Sequence, residues 1–129
     1  MIDQERALLE LADALRVLHQ RLIAATRVNF EKMHGRVPGS GALLELVIND
    51  PLFAWLRPLS RQIADLDELA AGEVDAATLA AARHSVAHLL DESTEFRPTY
   101  LVYLQADPDA VIAHAAVRRL LPPPARKPN

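Results

Sequence analysis

Five groups of side chains have the types and spacing that chemistry requires. His84 and His88 stand four residues apart in RHSVAHLLDE, with Asp91 and Glu92 close behind. Imidazoles one helical turn apart can share a metal ion. The set lacks the glutamate of an HExxH motif, since Arg83 and Ser85 flank His84, and a solvated helix face is the competing explanation. Glu31-Lys32-Met33-His34 is the sole Glu-x-x-His match; a carboxylate-bridged bundle centre needs a second on a facing helix. Ser60 and Ser85 would become nucleophiles beside a histidine, but nothing local brings a third, orienting group to either. Asp65, Asp67 and Glu68 lie close enough for paired-carboxylate chemistry, yet their spacing is that of a polar helix face. The fifth group is Phe53, Trp55, Arg57 and Ser60 around Pro58, joined by Tyr100 and Tyr103 from downstream. It could line a pocket in which the guanidinium holds an anionic head group and the rings take an apolar body. The plainer alternative makes the rings core filler and pairs Arg57 with a carboxylate.

These groups depend on helices. Asp50-Pro51 is a strong helix start, because the Asp side chain can accept first-turn amides and proline at the first position gives up no needed N–H. Leu52, Leu56, Leu59, Ile63, Leu66 and Ala70 then recur at spacings of three and four, and Gly72 is placed to end the run. Pro58 falls inside this pattern. There it would remove one backbone hydrogen bond and crowd the carbonyl of Ala54, at about 3 kcal/mol in a straight helix. A break into two helices is the alternative; the seam stays in phase across the proline, so a kinked central helix is expected.

Upstream, residues 3–33 read as one helix of about 45 Å, with Leu8, Leu11, Leu15, Leu18 and Leu22 as its seam. That length exceeds what a bundle of this size needs. Packing of the leucine seam against a second copy is therefore expected, with those five residues as the homodimer interface. The seam turns polar at Thr26 and Asn29, which would fix register, face solvent or meet a ligand. HGRVPGSG, residues 34–41, lacks the Lys-Ser/Thr ending of a phosphate loop and follows no strand. A loop is expected there, with Ser40 capping a short helix over residues 41–49. Asp75 caps a helix over 76–92 with a stripe of Leu79, Ala82, Val86 and Leu89. TYLVYLQ, residues 99–105, holds β-formers but has no partner strand, and Pro98 can open a helix. Asp107-Pro108 repeats the start signal before a last helix in which His114 is expected to pack rather than react.

The expected fold is all-α, a bundle of about five to six helices over residues 1–121, followed by a disordered proline-rich tail at 122–129. The 129 residues suffice for one sizeable core. Ala and Leu dominate while β-branched and aromatic residues are sparse, which favours helix. With no cysteine there is no disulfide, thiolate metal site or thiol nucleophile, which fits a reducing, cytoplasmic setting. No signal peptide or membrane-spanning run is visible. The net charge is −3. Arg118, Arg119, Arg126 and Lys127 make the C-terminal end mildly basic, too weakly for nucleic-acid binding.

GALLELVINDPLFAWLRPLSRQIADLDE, with LQADPDAVIAHAAV downstream, resembles an uncharacterised family of small bacterial proteins, most specifically in DPLFAWLRPLS, Asp50 to Ser60. The resemblance implies no activity and transfers no catalytic residue. The twelve arginines against two lysines suit a GC-rich bacterial genome and carry no functional weight. With no complete catalytic set and no cofactor expected, these features favour an interaction or assembly module that homodimerises and presents the central helix to a protein partner. A small-molecule binder with a pocket beside Pro58 is the alternative.

Overall fold

The computed structural model describes residues 2–122. Six α-helices follow in order: α1 (Ile2–His34), α2 (Gly39–Asn49), α3 (Arg57–Ala70), α4 (Ala76–Glu92), α5 (Arg97–Ala106) and α6 (Pro108–Arg119). A 3₁₀ helix (Pro51–Leu56) joins α2 to α3. No strand occurs among the described residues, and residues 99–105 lie within α5. The expected tail, with Arg126 and Lys127, falls outside the described residues apart from Pro122.

The fold is wrapped around α1. Leu8, Leu11, Leu15, Leu18 and Leu22 are at most 1% exposed within the single chain, because α3, α4, α6 and the 3₁₀ helix all pack along their face. This corrects the expected dimer interface: the length of α1 is used up by its own chain, and five sealed leucines cannot meet a second copy. Two cross-links show that α3 runs antiparallel to α1, Arg16 pairing with Asp67 and His19 with Ser60. Further along the seam Thr26 is fully buried and returns its hydroxyl to the Leu22 carbonyl at 2.7 Å. Asn29 donates to the Tyr103 hydroxyl at 3.0 Å and so ties α1 to α5. The polar end of the seam therefore serves packing within the chain.

Pro58 is accommodated without the expected loss. The Asp50 carboxylate accepts from Leu52 N–H at 2.9 Å and starts the 3₁₀ helix. Leu56 and Arg57 both keep right-handed helical angles, so the winding changes from 3₁₀ to α with no reversal of direction. Pro58 then sits in the first turn of α3, where a missing N–H is harmless. The Ala54 carbonyl, expected to be freed, accepts from Arg57 N–H. The chain thus meets the proline by tightening to 3₁₀ winding ahead of it.

Asp75 accepts from Thr78 N–H at 2.8 Å and Asp107 from Asp109 N–H at 2.9 Å, as their positions before helices require. Ser40 differs: Pro38 holds the cap position of α2, and no side chain caps that helix. The α4 stripe of Leu79, Ala82, Val86 and Leu89 is buried as spaced, with Leu90 added. Leu15 lies at the centre of the α1 seam and is fully buried. Leu15→Ala should lower unfolding free energy by about 2–5 kcal/mol, read as a lower urea midpoint. A loss under about 1 kcal/mol would mean that the seam is not the core.

Candidate functional site

The residues expected beside Pro58 do not converge on an opening. Phe53 is fully buried and faces Phe30 with ring centres 6.2 Å apart. Trp55 lies on Tyr103 at 4.9 Å with the planes 8° apart, and stacks on Phe96 at 5.4 Å. Phe96 continues to Tyr100 at 4.8 Å. The rings thus form one ladder that docks α5 on the 3₁₀ helix, and their faces are taken by each other. The Trp55 indole N–H is buried with no acceptor among the described residues, so stacking, not hydrogen bonding, places this ring. Arg57 points elsewhere and donates to the Ile48 carbonyl at 3.3 Å. Of the six residues Phe53, Trp55, Arg57, Ser60, Tyr100 and Tyr103, the aromatic members pack on neighbouring rings while Arg57 turns to α2. Tyr103 also lines a separate concavity of about 170 Å³ with Asn29 and Lys32.

His84 and His88 share the exposed face of α4, and His88 Nε2 lies 3.8 Å from a Glu92 oxygen. No cluster of three or more metal-ligating side chains occurs among the described residues. Asp91 is occupied otherwise. Its carboxylate accepts two bonds from Arg118, at 2.8 and 2.7 Å, and so joins α4 to α6.

Ser60 does have a histidine beside it, from the opposite end of the chain. Its Oγ lies 3.0 Å from His19 Nε2, and both side chains are half-buried where α1 and α3 meet. Burial holds the His19 imidazole below its ordinary value, so near neutrality Nε2 can accept the serine proton. Ser85, the other candidate, donates to Gln62 Oε1 at 3.0 Å instead. His114 makes a second neutral pair: its Nδ1 lies 2.6 Å from the Tyr100 hydroxyl. Burial first, and then the nearby Arg118 charge, lower His114, while burial raises Tyr100.

A concavity lies elsewhere, between the end of α1, the loop at residues 35–38 and α2. It holds about 440 Å³, with Phe30, Val37, Pro38, Leu46 and Pro51 as apolar walls. His34, Arg36, Glu45 and Asn49 form its polar rim. The loop is held in shape from α1. Glu31 accepts from Val37 N–H at 2.8 Å, and Arg27 donates to the Val37 carbonyl at 3.0 Å. Gly35 and Gly39 flank it at φ +83° and +90°, where a side chain would be strained. The groove is therefore preformed, as ligand sites commonly are.

No protein-family model matches this chain, and no curated protein or solved structure matches it. No helix among the described residues is long and apolar enough to cross a membrane. Local reading missed the His19–Ser60 pair, although each residue follows a seam leucine (Leu18, Leu59) and so flanks its helix's buried stripe. The groove left one trace, the glycines on either side of Val37.

Both lowered imidazoles favour the folded state only when neutral. Their contribution should be complete above about pH 6.5, the free imidazole value, and be lost as pH falls through the lower folded values. The melting temperature should hold from pH 8 to 7 and drop from about pH 6 downward. That drop should shrink in a His19→Gln, His114→Gln double variant; an equal drop in the variant would assign it to other groups.

Proposed function

We propose that this chain is a non-catalytic assembly module that pairs with a second copy of itself through α2. The observation that carries this reading is the exposure of an apolar helix. Ala42, Leu43, Leu44, Leu46, Val47 and Ile48 make up most of α2, yet no residue of that helix is buried. Leu44 and Ile48, one turn apart, are 60% and 57% exposed. Within the chain α2 packs chiefly on the neighbouring 3₁₀ helix. Its one charge, Glu45, lies on the groove side, which leaves the Leu44–Ile48 face uncharged. Such a face is self-complementary: two α2 helices crossed about a two-fold axis set Leu44 of each copy beside Ile48 of the other. Burial there would remove apolar surface from water at roughly 25 cal/mol per Å².

A second reading, a small-molecule binder, is favoured by the preformed groove. Arg36 on its rim can hold an anionic group while Phe30, Val37 and Leu46 take an apolar body.

Light scattering of the wild-type protein should give a dimer. A Leu44→Asp, Ile48→Asp variant should be monomeric at an unchanged or slightly higher monomer stability, since both positions are exposed in the single chain. A wild-type monomer at every concentration, or a variant that stays dimeric, would remove this reading. For the groove, an amphiphilic carboxylate panel should raise the melting temperature of the wild type and not of Arg36→Ala. No shift across the panel would leave the groove as surface relief only.

A further inference from the structure

We propose that Ser60 is an activated nucleophile, with His19 as its base, that accepts an acyl group from an acyl donor with a good leaving group. The reading is independent of how α2 is used. Three observations support it. Ser60 Oγ and His19 Nε2 are at hydrogen-bond distance, the arrangement by which a hydroxyl is deprotonated as it attacks. The imidazole is kept neutral by burial, so its lone pair is available at neutral pH. Both residues are half-buried where α1 and α3 meet, so the pair is neither sealed in the core nor fully solvated.

The pair is also held in register. Arg16, one turn before His19 on α1, bonds Asp67 of α3 and Asp13 of its own helix. These three charged groups, which share the helix pair with His19, are thus committed to one another. Their bonds hold the two backbones that carry the serine and the histidine.

The step balances as an acyl substitution. The Oγ lone pair forms a bond to the carbonyl carbon as the Oγ proton passes to His19 Nε2. The tetrahedral adduct collapses, and the bond to the leaving oxygen breaks with its electron pair. His19 returns the proton to the leaving group or to solvent. An acyl-serine and a free alcohol or phenol result. No third residue orients His19 among the described side-chain contacts, so the inference is one acylation per chain, a modification and not a turnover cycle.

The test uses the full chain and p-nitrophenyl acetate. One acetyl group per chain should appear on Ser60 by peptide mapping, removable by hydroxylamine as an ester is and a lysine amide is not. The rate of Ser60 labelling should fall as pH drops through the His19 titration, a readout that needs no variant. His19→Gln, which can keep a hydrogen bond to Ser60, should slow the labelling by about a hundredfold with an unchanged helical circular dichroism signal. Ser85→Ala should label like the wild type. An unlabelled Ser60, a flat pH profile, or equal labelling in His19→Gln would overturn the proposal.

Discussion

One constraint governs this molecule: the leucine seam of α1 must be covered, and only the rest of the chain is there to cover it. Leu8, Leu11, Leu15, Leu18 and Leu22 lose essentially all their solvent contact, at roughly 2 kcal/mol of transfer free energy for each side chain. The helices that achieve this, α3, α4 and α6, touch α1 along most of its length. Placing them there brings His19 to Ser60 and docks α5 near Asn29. The polar contacts follow from the apolar ones.

Those polar contacts nevertheless select one arrangement among several that would bury the same leucines. Apolar stripes of Leu and Ala tolerate sliding by a turn, because neighbouring holes are alike. Arg16–Asp67, Asn29–Tyr103, Ser85–Gln62 and Arg118–Asp91 each join two different helices. A slip of one turn would leave the part-buried members of the last three pairs unpaired, a penalty of about 1–3 kcal/mol apiece.

How much was legible in the sequence divides along the same line. Helix starts at Asp75 and Asp107, the α1 seam and the α4 stripe could all be read, because capping and periodicity are set by residues a few positions apart. What covers the seam could not, since Leu15 carries no mark telling an internal neighbour from a second copy. The effect of Pro58 was half legible: the proline was seen, but whether the preceding turn tightens to 3₁₀ depends on how Phe53 and Leu56 sit in the core. Trp55 and the tyrosines pointed to an aromatic cluster and could not say that its members would pack on one another. His19–Ser60 and the Val37 clamp join distant or loop positions, where no period exists to follow.

The stacking of Trp55 on Tyr103 has an optical consequence. The chain has a single tryptophan, and its indole stacks on rings from α5 and the turn before it. Its emission therefore senses whether the C-terminal hairpin of α5 and α6 has closed onto the first half of the molecule. The groove beside α2 is lined by other residues and is spectroscopically silent by comparison. A folding experiment followed by intrinsic fluorescence would time the docking of that hairpin, whereas circular dichroism would time the appearance of the helices.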